Sequence, residues 1–151
     1  MLIESHCLVP SGPGPIWGLI LDIPRTAFCV PGLQEIAPGE DGSFRATLKA
    51  RVGPITLTFS GTIELLEQDP QLHVAKFRLQ GSDRRVGGSF QTNMTVRLIP
   101  QGPDQTQLDI SADTIFMGKL GELGQPIIRR KTASTIDQFA KNLAQQLVSG
   151  A

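Results

Sequence analysis

Five consecutive stretches in the middle of this chain alternate apolar and polar residues, and that pattern constrains the fold more than any other feature. In residues 43–52, Phe44, Ala46, Leu48, Ala50 and Val52 share one face while Arg45, Thr47, Lys49 and Arg51 share the other, as a half-buried strand requires. Residues 55–65 repeat it, with Ile55, Leu57, Phe59, Gly61, Ile63 and Leu65 on the apolar side. So do residues 73–80 (His73, Ala75, Phe77, Leu79), 90–98 (Phe90, Thr92, Met94, Val96, Leu98) and 107–114 (Leu108, Ile110, Ala112, Thr114). The breaks between them, such as Gly53-Pro54 and Gly81-Ser82-Asp83, are short and rich in turn residues. Parallel pairing needs crossovers of about a dozen residues, so these lengths predict an antiparallel meander. Residues 2–9 and 33–36 are further strand candidates, for a sheet of six to seven strands.

Such a sheet needs an apolar cover, and the C-terminal segment supplies one. Leu120, Leu123, Ile127, Ile128, Ile136, Phe139, Leu143 and Leu147 recur at three- and four-residue spacing, which predicts one stripe of a helix. Each such side chain contributes about 1.5 to 3 kcal/mol on burial, so the helix is structural whatever else it does. Gly121, Gly124 and Pro126 interrupt its start, so regular helix is expected from about Pro126. Between the first two strands, residues 16–21 read as a short helix that Asp22-Ile23-Pro24 stops or turns into a second one. The order is α+β: a curved antiparallel sheet around one long helix, and 151 residues predict a single domain over 1–151.

The 14 basic residues balance the 14 acidic ones, which excludes nucleic-acid binding driven by bulk charge. The balance hides an asymmetry. Residues 1–41 are acidic, whereas Lys76, Arg78, Arg84, Arg85 and Arg97 gather around Asp83 alone, and Arg129-Arg130-Lys131 form a second basic run. Two readings stay open, a solvated face or a docking surface for an acidic partner or an anionic membrane. Cys7 and Cys29 are too few for a disulfide scaffold and lack metal-ligand spacing, and the N-terminus does not resemble a secretory leader. Free thiols in a reducing cytoplasm are expected. The longest apolar stretch, residues 16–21, is far short of a membrane span.

Catalytic constellations are hard to assemble. His6 and His73 are the only histidines and lie on different predicted strands; Gly87-Gly88 and the glycines at 39 and 42 lack the ending of a phosphate loop. No nucleophile elbow or paired-carboxylate cleft is present in the sequence. The inward positions mix large residues with small ones (Ala46, Ala50, Gly61, Ala75, Ala112). Small residues let helix and sheet approach closely, or they leave a cavity along the helix; composition does not choose between these.

An ordered series of short motifs does bear on that choice. Trp17, Asp22-x-Pro24, Cys29-Val30-Pro31-Gly32, Val52-Gly53-Pro54-Ile55 ahead of Phe59-x-Gly61, and Gly118-Lys119-Leu120-x-x-Leu123-Gly124 together resemble the CoxG-like family of carbon monoxide dehydrogenase proteins, within the START-like (SRPBCC) helix-grip superfamily. The resemblance implies a helix-grip fold whose cavity between sheet and helix takes an apolar, lipid- or quinone-like molecule. It also implies a non-enzymatic accessory role beside molybdenum hydroxylase subunits, in the cytoplasm or in peripheral contact with the inner face of the membrane, with no cofactor of its own. The expected lining is Phe59, Phe77, Phe90, Met94, Phe116, Leu120, Leu123 and Ile127, with Trp17, Phe28 and Val30 near a mouth. Two departures stand out. Pro13-Gly14-Pro15 occupy the place where members carry an acidic residue, so the first short helix is expected to start late or sit differently, and the sequence runs only to Ala151, without the C-terminal extension that attaches some members to the membrane. The competing expectations are a cyclase- or hydrolase-type enzyme with polar groups in the cavity, and a structural assembly factor with a filled core.

Overall fold

A computed structural model of the chain describes residues 1–149. Each alternating segment is a strand, and the strands β1 (Leu2–Val9), β2 (Leu33–Pro38), β3 (Phe44–Val52), β4 (Ile55–Asp69), β5 (Val74–Asp83), β6 (Gly88–Gly102) and β7 (Gln105–Gly118) form one sheet. Their order is β1-β7-β6-β5-β4-β3-β2, every neighbouring pair antiparallel. The meander from β2 to β7 closes onto β1, which pairs along its whole length with β7. The chain is thus α+β with a seven-stranded antiparallel sheet.

Two strand limits differ from expectation. β4 continues past residue 65 because the register slips between Leu65 and Glu67; Leu66 is the extra residue and points to solvent. His73 precedes β5 rather than beginning it, at a φ of 53°, and its ring lies edge-on against Trp17 with centroids 5.4 Å apart.

Two short helices, α1 (Pro13–Leu21) and α2 (Ile23–Ala27), link β1 to β2. α1 starts three residues before Ile16, contrary to the late start expected, because the first helical turn has no use for backbone N–H groups and so accepts Pro13 and Pro15. Asp22 separates the two helices, ending α1 and accepting a hydrogen bond from the Arg25 N–H as the cap of α2.

The long helix α3 (Gln125–Ser149) begins where the glycine and proline pattern placed it. Leu120 and Leu123 precede it, at a 3-10 turn over Lys119–Glu122. The buried stripe therefore runs through Ile128, Phe139, Ala140 and Leu143, and Ile127, one residue and about 100° out of phase, is 43 % exposed rather than part of the stripe. Two hydrogen bonds fix the helix: Ser5 Oγ donates to Asp137 at 2.9 Å, and Asn142 Nδ2 donates to the Cys29 carbonyl at 2.8 Å.

The core has two parts. One packs α1, α2 and the later turns of α3 on the sheet, with Val9, Ile16, Leu19, Ile20, Phe77, Val96, Ile110, Phe139 and Leu143 buried together. The other, Val52, Leu57, Phe59 and Leu120, sits at the far end under the 3-10 turn. Inward-facing residues between them, Leu48, Ala50, Phe90, Thr92 and Met94, are only half-buried although the alternation aims them at α3. A filled core would bury them. Among the described residues no helix is long and apolar enough to cross a membrane.

Candidate functional site, an apolar cavity between sheet and helix

The space between the two core clusters is a cavity of about 180 Å³. Its wall takes Phe139 from the first cluster and Val52, Phe59 and Leu120 from the second. Sheet residues from β3, β5, β6 and β7 form the floor, and Ile128, Lys131, Thr132, Thr135 and Ile136 of α3 form the roof. Two annexes of about 40 and 30 Å³ adjoin it, and Val30 and Leu79 border all three. The opening follows from the topology. β2 leaves β3 at Leu33, opposite Leu48, so residues 49–52 of β3 lie at the sheet's uncovered margin, facing the first turns of α3. Pro31, the exposed Lys49 and the half-buried Lys131 border this slit.

The floor is a ladder. Across β6 and β7, Phe90 pairs with Phe116, Thr92 with Thr114 and Met94 with Ala112. The alternation turns all six side chains to the same face, and all six line the cavity. Phe90 also meets Phe59 edge-on, with ring centroids 4.9 Å apart, a favoured aromatic geometry that stiffens the wall. The polar rung is satisfied within itself: the Thr92 and Thr114 hydroxyls are 2.9 Å apart. Across the cavity, Thr132 and Thr135 donate their hydroxyls to the Ile128 and Lys131 carbonyls of their own helix, each at 2.8 Å. The ionisable residues of the wall are Lys49 and Lys131, and Lys49 belongs to the outward-facing set of β3.

Of the expected lining, Val30, Phe59, Phe90, Met94, Phe116 and Leu120 come together around this cavity. Phe77, 4 % exposed, belongs to the first core cluster and borders only the smallest annex. Leu123 packs, half-buried, on the second cluster. Ile127 points away, its neighbour Ile128 taking the place on the wall. Trp17 is held against His73 and the first cluster, and Phe28, 59 % exposed, stands two residues from Val30. The motif series does not single out Lys131, Thr132 and Thr135, because hydrophobic periodicity assigns polar residues to solvent. Their signal is their spacing from Ile128, three, four and seven residues on.

Part of the basic excess is neutralised within the sheet. Arg78 lies 3.5 Å from Glu64, and Lys76 lies 3.6 Å from Glu67, across the β4–β5 pair. Asp83 is buried, accepting from the Thr58 N–H at 2.8 Å and the Val86 N–H at 3.2 Å, and Arg85 reaches to 4.0 Å from it. The Thr58 N–H does most to hold this carboxyl below the ordinary value. Both cysteines are free, and burial pushes each thiol's pKa up, so neither is an activated nucleophile.

A seven-stranded antiparallel sheet curved about a C-terminal helix, with two short helices after the first strand and a cavity under the grip, defines a START-like helix-grip domain. The chain belongs to the carbon monoxide dehydrogenase CoxG family, which it matches over residues 8–148. A comparison with curated proteins by sequence gave no match. Among solved structures, a conserved protein from Geobacillus kaustophilus superposes with a TM-score of 0.87 at 18 % identity, covering 99 % of this chain and 97 % of that one. A START superfamily protein from Mycobacterium smegmatis gives 0.71 at 16 % identity, covering 99 % of each chain. The Zhui aromatase/cyclase from Streptomyces sp. R1128 gives 0.62 at 17 %, covering 98 % of this chain and 95 % of that one. At these identities the likeness is one of fold.

Proposed function

We propose that this chain is a non-enzymatic accessory protein that holds a lipid- or quinone-like molecule in the cavity under α3. The observation that carries the reading is the unfilled, apolar gap between two otherwise well-buried clusters. Packing that gap would stabilise the protein, since empty volume forfeits dispersion contacts, so a cavity lined by Phe59, Phe90, Met94 and Phe116 makes sense as a ligand's place. Size narrows the ligand. About 180 Å³ is close to a cavity of ~150 Å³ that accepts benzene and below the ~300 Å³ at which drug-sized sites begin. A head of one or two rings fits inside, and a longer tail would leave through the slit beside residues 49–52.

Membership of the CoxG family supports the accessory role, and the partner it suggests is a molybdenum hydroxylase-type redox enzyme met in the cytoplasm, at or near the inner face of the membrane. The exposed Arg84, Arg129 and Arg130 are the surface offered to an acidic partner or to anionic lipid. The wall supports binding over catalysis, because its hydroxyls are engaged within the protein and its ionisable residues are lysines at the rim. Native mass spectrometry of gently purified protein, followed by organic extraction, tests the reading. A co-purifying or added apolar molecule bound one to one is the expected result; a bare mass that ignores added lipids and quinones favours an assembly factor instead.

A further inference from the structure

The ladder on the cavity floor carries one polar rung between two apolar ones, Thr92–Thr114 between Phe90–Phe116 and Met94–Ala112. Two hydroxyls hold two protons, and the 2.9 Å bond between them uses one. Among the described residues neither hydroxyl has another hydrogen-bond partner, so the second proton is uncommitted on a wall of hydrocarbon. Thr114 is buried, and a buried donor without an acceptor is costly, whereas valine would fill the same volume at no such cost. The hydroxyls across the cavity, on Thr132 and Thr135, are spent on helix carbonyls. The sheet side thus offers a single hydrogen-bond donor, at a fixed height on the floor.

We propose that the Thr92–Thr114 pair is the hydrogen-bonding subsite of the cavity and that its ligand is an apolar molecule bearing a carbonyl oxygen on the end that enters. The proposal rests on the ligand-binding reading above and sharpens it. The accepting hydroxyl of the pair donates its free proton to the carbonyl, and the bond between the threonines polarises that donor. A flat ring beside the carbonyl lies against Phe90 and Phe116 on one side and Met94 on the other, as the order of the rungs dictates.

The test uses 1-tetralone and tetralin, two probes of nearly equal shape that differ by one carbonyl. Wild-type protein is expected to bind tetralone about three- to tenfold more tightly than tetralin, the worth of one hydrogen bond. In the double variant Thr92→Val/Thr114→Val the ratio falls to one or below while tetralin binding persists; Thr92→Ser/Thr114→Ser keeps the preference. The carbonyl stretch of bound tetralone in wild-type protein, measured by infrared difference spectroscopy, shifts to lower wavenumber than in hexane, a readout that needs no variant to fold. Equal binding of the two probes by wild-type protein, a preference that survives the double valine change, or an unshifted stretch overturns the subsite while leaving the cavity a binding site. Failure of both probes to bind wild-type protein overturns the ligand-binding reading and the subsite with it.

Discussion

The side-chain amide of Asn142, midway along α3, donates a 2.8 Å hydrogen bond to the backbone carbonyl of Cys29, in the segment between α2 and β2. Cys29 is buried, so no water replaces this donor freely, and the next two residues, Val30 and Pro31, form part of the cavity wall. Gln138 braces the amide in turn, its Nε2 lying 2.9 Å from Asn142 Oδ1. Helix and cavity rim are therefore coupled through one amide group. Asn142→Ala should destabilise the protein by about 1 to 3 kcal/mol, the cost of stranding a buried carbonyl, and weaken probe binding in parallel. Urea denaturation and a probe titration on the same variant check both halves.

Close approach of β4 and β5 depends on Gly61. It faces Gly81 across the pair, and a Cβ at Gly61 would stand 1.7 Å from the Gln80 carbonyl oxygen. Gly61→Ala should cost about 3 kcal/mol or more, because backbone has to move to admit it. Gly18, exposed in the middle of α1 with open space around it, is the opposite: Gly18→Ala should stabilise by up to ~1 kcal/mol through helix propensity. Thermal melts of the two variants should move in opposite directions.

Asp83 makes the stability depend on acid pH. Hydrogen bonds from the Thr58 and Val86 N–H groups, with Arg85 nearby, hold its folded pKa below the ordinary carboxylate value, Thr58 contributing most. A carboxyl depressed in the folded state stabilises above its unfolded pKa, about 3.9, and that contribution is lost as pH falls through the lower folded value. Melting temperature should therefore drop below about pH 4 more steeply in wild type than in Asp83→Asn. Superimposable pH profiles for the two proteins would show that the buried carboxylate contributes nothing.

His6 sets a dependence of the opposite sign on the outer face of the sheet. Its Nδ1 lies 2.8 Å from Asp109, and the hydrogen bond, more than the charge, raises its pKa above 6.5. A raised folded pKa gives stability that is complete below the unfolded value and fades as pH rises through the folded one. An NMR titration should place His6 above a random-coil histidine and return it to the ordinary range in Asp109→Asn.

Much of this architecture is legible in the sequence because period two and period 3.6 are local properties that survive without knowledge of the partner strand. Residues 43–52 and 107–114 fall on β3 and β7, and Gly124-Gln125-Pro126 mark the start of α3. What is illegible depends on phase or on distance. The slip at Leu65/Glu67 puts Leu66 into solvent without any break in composition, and Ile127 differs from Ile128 only in rotation about a helix whose origin lies at Gln125. The motif that carries Trp17 points to the mouth, but its partner His73 lies 56 residues away on a residue of positive φ. At the site, the aromatic wall is readable from alternation, whereas Lys131, Thr132 and Thr135 are not, because only the cavity makes a polar helical residue face inward.

The central claim is that the space between the two core clusters is a place for a ligand, and a blocked cavity tests it most directly. Ala50 lines the slit from β3 and is half-buried, so Ala50→Trp can fill the opening without entering either cluster. Fluorescence titration with an apolar naphthalene probe should give saturable one-to-one binding to the wild-type protein and at least a tenfold weaker affinity in Ala50→Trp at an unchanged fold by circular dichroism. Equal affinity in the two proteins, or no saturable binding to the wild type, would contradict the account.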